Sequence, residues 1–232
     1  LKLTYLSPAK INLFLHVTSK RSDGYHNLQT IFQLLDYCDE INIDYRNDGE
    51  INRISGNEEI PKEQDLIIRG ANILKKITES KGGADISIVK KIPTGGGLGG
   101  GSSNAATVLI ALNELWNLNL SKERLMDIGL NLGADIPVFI NGHSSWGEGI
   151  GEILTPIILP KYFYLIVSIN KHISTLEVFT HKALTISPVQ RKMSNFSSVL
   201  NPHNDCLEAA IDLESEIEDA LIHLNSTKRH ID

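Results

Sequence analysis

The strongest chemical signal in the sequence is the run Pro93-Thr94-Gly95-Gly96-Gly97-Leu98-Gly99-Gly100-Gly101-Ser102-Ser103-Asn104. Six of the seven positions from 95 to 101 are glycine. Backbone N–H groups there can converge on a ligand with almost no side chains in the way. The run leads straight into Ala105, Val108, Leu109, Leu112, Leu115 and Trp116, spaced as one face of a helix, and Ser102, Ser103 or Asn104 is expected as the N-cap. The unpaired N–H groups and dipole of such a helix start favour an anion, and a phosphate fits the loop.

Other chemistries for this loop fare worse. Gly95-x-Gly97-x-x-Gly100 matches the dinucleotide fingerprint in form. However, Pro93 interrupts the approach, no strand heads a βαβ unit there, and the acidic residue that should follow falls inside the helix, near Glu114. The Walker pattern is absent because no Gly-Lys-Ser/Thr follows. A flexible linker need not run into an amphipathic helix. The eight histidines, at 16, 26, 143, 172, 181, 203, 223 and 230, show no His-x-x-x-His or His-Glu-x-x-His spacing, so no protein-held zinc is expected.

The elements that must position these residues follow from periodicity. Leu1 to Thr18 alternates, with Ala9, Ile11, Leu13, Leu15 and Val17 on one face and Lys10, Asn12, Phe14 and His16 on the other. Lys10 and Asn12 are therefore neighbours; on this pattern alone Lys10 is a solvated strand lysine. Tyr25-His26 follows the turn Ser22-Asp23-Gly24 and by itself reads as surface, ahead of an apolar run from Ile31 to Tyr37. Ile41, Ile43 and Tyr45, the turn Asn47-Asp48-Gly49 and a strand near Ile51 to Ile54 predict an antiparallel hairpin.

Asp65 opens a helix with Leu66, Ile67, Ile73, Leu74 and Ile77 inward, ending near Gly82-Gly83. A strand with Ile86 and Ile88 then passes through Lys90-Lys91, readable as exposed charges, to the glycine loop. Ser121 caps a further helix through Leu132, with Gly133 as its left-handed stop. Asp135 reads as the N-cap of a short helix with Pro137 in its first turn. The glycine-spaced stretch from Gly142 to Glu152 is expected to be a hinge. Beyond it the pattern predicts a strand from Tyr162 to Ile169, a helix near Thr175 to Leu184, a polar loop, and one long helix from about Asn204 to Leu224. That helix should bury Leu207, Ile211, Ile217, Leu221 and Leu224, with Asp205 near its cap.

Four stretches together, Ser7-Pro8-Ala9-Lys10-Ile11-Asn12-Leu13, Asp23-Gly24-Tyr25-His26, the glycine loop and Gly133-Ala134-Asp135-Ile136-Pro137, resemble the GHMP family of small-molecule kinases over nearly the whole chain. The resemblance implies an α+β fold. Residues 1–152 would form a ribosomal-protein-S5-domain-2-like, ATP-binding domain, and residues 153–232 an incomplete ferredoxin-like domain. Incompleteness is expected because the family's third, glycine-rich motif has no match before Asp232.

The implied activity is ATP-dependent phosphorylation of a cytidine-diphosphate-linked alcohol in isoprenoid precursor synthesis, with Mg2+ arriving with ATP. In that reading Lys10 and Asp135 are catalytic, and Pro93, Thr94, Gly95, Gly96, Gly97, Leu98, Gly99, Gly100, Gly101, Ser102 and Ser103 bind ATP. Asn12, Tyr25, His26, Phe32 and Phe179 contact the substrate, the aromatic residues and histidine around the cytosine. Lys90-Lys91 would lie beside the adenine, and Asp65 stands where the family offers asparagine. Two alternatives are a homoserine or mevalonate kinase of the same family and a nucleotide-binding remnant without turnover.

Composition fits such an enzyme. With 232 residues, 41% hydrophobic, 22% charged and a net charge of −6, the chain suits one large core or two smaller ones, and not a nucleic-acid or anionic membrane surface. Cys38 and Cys206 are far apart in sequence and predict neither a disulfide framework nor a thiolate metal site. The apolar runs are too short to span a bilayer and no signal peptide opens the chain, so a cytoplasmic enzyme is expected.

Overall fold

Alternating apolar residues draw the first part of the chain into two long antiparallel strands, β1 (Lys2–Lys20) and β2 (His26–Arg46). The computed structural model describes residues 2–169, 171–191 and 203–228. The turn between the strands is closed by Arg21 N donating to Tyr25 O and by Asp23 Oδ1 accepting from Tyr25 N. The β1–β2 register shifts between Pro8 and Lys10, between Asn12 and Leu15, and between Val17 and Ser19. Such irregularities re-aim side chains, and they fall on either side of Lys10 and Asn12.

β3 (Ile51–Ser55), α1 (Leu66–Thr78) and β4 (Gly83–Val89) follow. β3 pairs with β4 in parallel, and β4 pairs antiparallel with residues 40–46 of β2. The hairpin expected between β2 and β3 is therefore not formed, because β4 inserts between them. The reason is the helix that follows β3: a β–α–β crossover returns the chain as a parallel neighbour. Asp65 is the N-cap of α1 as expected, its carboxylate accepting from Ile67 N.

α2 (Gly100–Leu115), α3 (Lys122–Leu130) and α4 (Ile136–Asn141) complete the helical layer. Ile41, Ile43, Ile86, Leu74, Leu109, Leu112 and Ile136 meet in the main core between it and the sheet. α2 is more enclosed than a one-faced helix: Ala105, Ala106, Val108, Leu109, Ala111 and Leu112 are all buried. Its N-cap is Gly99, in the left-handed conformation and without a side-chain cap bond, and not Ser102, Ser103 or Asn104. Ser121 caps α3 through Arg124 N, but that helix ends at Leu130 with Leu132 N and Gly133 N both donating to Gly129 O, and Gly133 is not left-handed.

β5 (Ser145–Glu148) pairs with residues 30–32 of β2 and with β6 (Ile153–Pro156), so the glycine-spaced crossing takes the form of a hairpin at the sheet edge. The resulting six-stranded sheet runs β3-β4-β2-β5-β6, with β1 along the other side of β2. Together with the helices this is an α+β arrangement.

Past β6 the expectations fail more often. Residues 162–169 form no strand ladder among the described residues, and Phe163 and Leu165 are exposed, so this apolar run lacks the neighbour a strand needs. α5 covers only Thr175–Thr180. The polar loop expected next falls largely outside the described residues, as does the end of the polar tail. The long helix is two helices, α6 (Leu207–Leu213) and α7 (Glu216–Lys228), separated by Glu214 in an extended conformation. Ser215 and the acidic Glu216, Glu218 and Asp219 make a new helix start there, which the dipole favours. Asp205 is buried against β1 and does not cap α6. α5 and α6 dock on β1 through Val17, Val178, Cys206 and Ala209, with Phe179 packed alongside.

Candidate functional site

Lys10 emerges from the irregular part of β1 and is almost fully buried. Its Nζ donates to Asn12 Oδ1 at 2.7 Å, lies 3.5 Å from Asp135 Oδ2, and sits 5.7 Å from the centre of the Phe32 ring. The last distance is within cation–π range. Asn12 Nδ2 in turn donates to the buried Thr30 hydroxyl at 2.7 Å, and that hydroxyl donates to Phe14 O at 2.6 Å. Lys10 and Asn12 are thus fixed from β2.

Asp135 occupies the N-cap position of α4 but makes no capping bond, and its side chain is 37% exposed. Its carboxylate is left to face Lys10 and solvent. A charged pair with one buried and one open member can accept a proton from an incoming hydroxyl while the cation offsets developing negative charge.

The glycine loop meets this pair through Lys10. Lys10 N donates to Leu98 O at 2.9 Å, and the Leu98 side chain is buried with Ala9 and Ile92. Leu98 anchors the loop while Gly96 and Gly97 are exposed. Gly95, Gly97 and Gly99 all have positive φ, from +70° to +77°. A Cβ on Gly99 would lie 2.8 Å from Phe139 and 3.2 Å from Lys10 Cε, whereas one on Gly97 would meet nothing within 4 Å. Beside the loop a groove of about 590 Å³ is lined by residues including Gly56, Asn57, Lys90, Ile92 and Thr94. Asp65 does not offer a free carboxylate nearby: it is buried, and Arg53 Nη1 donates to it at 2.7 Å.

Sequence reasoning missed the group that holds this loop from behind. Asp39 is fully buried on β2, and its Oδ1 accepts from Lys91 N at 2.6 Å and Ile92 N at 2.8 Å. Its Oδ2 accepts from Lys90 Nζ and, at 2.9 Å, from Asn104 Nδ2. Lys90, read from sequence as an exposed charge, is therefore a partner in a part-buried network. Asn104 also donates to Ser7 Oγ, and Ser7 Oγ donates to Ser103 Oγ at 2.8 Å. These serine and asparagine side chains, expected to cap α2, join it to β1 instead. Nothing local in the sequence marks Asp39, because its partners lie more than fifty residues away.

The remaining expected residues divide between two places. His26 is buried and its ring centre is 5.6 Å from that of Phe179, while Tyr25 beside it is exposed. Burial, with help from the Lys20 charge, lowers the His26 pKa below 6.5, so the ring is neutral at pH 7 and can both donate and accept. Phe32 is not beside this pair. It lies under Lys10, six residues further along β2, a contour of roughly 20 Å at strand rise.

The glycine loop and Asp135 both fall inside a stretch that matches a family of small-molecule kinases. The family model for the N-terminal domain of GHMP kinases matches residues 65–143. The chain is 60% identical over 228 residues to the 4-diphosphocytidyl-2-C-methyl-D-erythritol kinase of Ruthia magnifica subsp. Calyptogena magnifica, covering 98% of this chain and 80% of that protein. It is 44% identical over 228 residues to the enzyme of the same name from Cupriavidus necator, covering 97% and 78%. A crystal structure of 4-(cytidine 5'-diphospho)-2C-methyl-D-erythritol kinase superposes with a TM-score of 0.69 at 30% identity, covering 94% of this chain and 81% of that one. The chain belongs to the family of 4-diphosphocytidyl-2-C-methyl-D-erythritol kinases. It is a small-molecule kinase, and none of its described helices is long and apolar enough to cross a membrane.

Proposed function

We propose that this chain transfers the γ-phosphoryl group of ATP to the 2-hydroxyl of 4-diphosphocytidyl-2-C-methyl-D-erythritol, a step in isoprenoid precursor synthesis. The observation that carries the reading is the Lys10–Asp135 pair, 3.5 Å apart, on the same residue whose backbone N–H holds the glycine loop. Phosphoryl transfer needs positioning and charge stabilisation more than covalent help from the protein.

Each role is supported by the environment in which its residue lies. Residues 95–103 hold the ATP phosphates by backbone N–H groups, with the groove beside Lys90 and Thr94 available to the adenine. Asp135 takes the hydroxyl proton as the oxygen attacks the γ-phosphorus and the bond to ADP breaks. Lys10 stabilises the alkoxide and the transferred group. Asn12 orients Lys10 and the substrate hydroxyl. His26 and Phe179 receive the cytosine by edge hydrogen bonding and ring contact, with Tyr25 closing from the solvent side. Hard oxygen donors at the rim, the Ser102 hydroxyl and the Asp135 carboxylate, suit Mg2+, which when bound would offset phosphate charge.

The test is single-turnover transfer from labelled ATP, with the cytidine substrate, mevalonate and homoserine in parallel. Label should pass only to the cytidine substrate. Transfer to mevalonate or homoserine would move the chain to another branch of the kinases, and ATP binding without transfer to any acceptor would support the remnant reading.

A further inference from the structure

Away from the phosphate site, β1 carries a second group of chemical interest. His16 is 5% exposed, and neither ring nitrogen has a hydrogen-bond partner among the described residues. Its Nδ1 faces Asp205 Oδ2 at 3.4 Å, and its ring stacks on that of His203 with centres 4.7 Å apart. His203 Nε2 lies 2.6 Å from Asp205 Oδ1. One ligand atom from each of the three residues lies within 4.8 Å of the others. The fully buried Asp205 carboxylate also accepts from Val17 N at 2.8 Å and from Ser187 Oγ at 3.0 Å, so it is held in place by the backbone of β1.

A buried imidazole with both nitrogens unpaired among the described residues is costly, and a proton shared with Asp205 or a Lewis acid would relieve that cost. The 3.4 Å spacing is long for a hydrogen bond but is that of two ligands on one tetrahedral ion, since bonds of about 2.0–2.1 Å place neighbouring ligand atoms about 3.3–3.4 Å apart. His203 is half exposed and need only exchange its bond to Asp205 for a bond to the ion.

We infer that His16, His203 and Asp205 bind one divalent transition-metal ion, with Zn2+ the best match to two imidazoles and a carboxylate and with water in the fourth position. The site joins strand β1 to the segment entering α6, where Leu15 N already donates to His203 O and Asp205 N to Leu15 O. Closing a loop of nearly the whole chain, the ion acts as a staple. It also stiffens the docking of α5 and α6, and with it Phe179. Asp205 supplies the negative charge. The histidines are 187 positions apart, which is why no sequence spacing reveals the site.

The experiment is a Co2+ titration of tag-free, chelator-treated protein without nucleotide, followed by displacement with Zn2+. The ligand-field absorption of four-coordinate Co2+ should rise to one equivalent and be abolished by Zn2+, and Zn2+ should raise the melting temperature. His16→Phe keeps a ring against Phe14 and removes both nitrogens; His203→Ala alters a half-exposed position. Without metal His16→Phe should melt like wild type and His203→Ala somewhat lower, because it loses its bond to Asp205, and both should lose at least tenfold in Co2+ affinity. Absence of a one-equivalent band in wild type, or wild-type affinity in either variant, overturns the site.

Discussion

Replacing Asp135 with asparagine separates chemistry from folding more cleanly than any other change at the site. The substitution keeps shape and removes charge and proton affinity. Because Asp135 makes no capping bond, its structural contribution is mainly the attraction to Lys10 at 3.5 Å. Coulomb's law gives about 1 kcal/mol for that pair at the dielectric of water and about 5 kcal/mol at an effective dielectric near 20. The Asp135 side chain is 37% exposed, which places the pair towards the lower figure once solvent screening is counted. Lys10 also keeps Asn12 Oδ1 at 2.7 Å, so its charge is not stranded.

A loss of roughly 1–2 kcal/mol in stability is therefore expected. Removing a positioned base should slow transfer about 10²–10⁴-fold, or roughly 3–5 kcal/mol in the barrier. ATP affinity, which rests on the loop backbone, should stay within about threefold of wild type. Rapid-quench single turnovers, nucleotide titration and thermal melts on the same preparation measure all three. A variant that transfers phosphate within threefold of wild type removes Asp135 from the chemistry. One that melts far below wild type makes it a structural residue instead.

Three further outcomes follow from individual contacts. Gly97→Ala adds a methyl into open space at φ +72°, so it should cost about 1 kcal/mol in stability but raise the KM for ATP. Gly99→Ala drives a methyl into Phe139 and Lys10, and should lower both the melting temperature and kcat; equal behaviour of the two refutes the loop geometry. Phe179→Ala should raise the KM for the cytidine substrate about 5–150-fold, the equivalent of 1–3 kcal/mol of ring contact, with KM for ATP unmoved. The His26 pKa is lowered on folding, so between the unfolded value of 6.5 and the lower folded value the unfolded chain binds more protons. Stability from this residue is present above pH 6.5 and declines as pH falls; melts of wild type and His26→Gln from pH 7.5 to 5 should show a shallower acid loss in the variant.

What the sequence revealed was whatever chemistry is local. The glycine loop, the Lys10–Asn12 neighbours and the helix start at Asp65 are decided by residues a few positions apart, and each is found where expected. Position and interaction can still part company. Asp135 stands at the start of α4 yet makes no cap, and Ser102, Ser103 and Asn104 yield the capping place to Gly99 because the helix begins one turn early. The losses are non-local. Only the sheet order tells that β4 lies between β2 and β3, and only the fold brings Asp39 to Lys91 and Ile92. Only the fold shows that the Phe32 ring lies beneath Lys10. The break at Glu214 could have been read, since Ser215 and the acids after it form a helix-start signature.

A loop made almost wholly of glycine has no side chains with which to hold its own shape, so its geometry must be imposed by neighbours. Leu98 supplies the only apolar anchor within it. At its entrance the backbone leaves β4, and Asp39 takes over the two N–H groups that a strand partner would otherwise satisfy. At its exit, Ser103 and Asn104 tie α2 to Ser7. These tethers all end on β1 or β2, and β1 also carries Lys10, which bonds the loop through its backbone and faces Asp135 through its side chain. Loop and Lys10 are consequently braced by the same two strands. In the proposed reaction, alignment of a phosphate with a hydroxyl would then rest on the β1–β2 ladder.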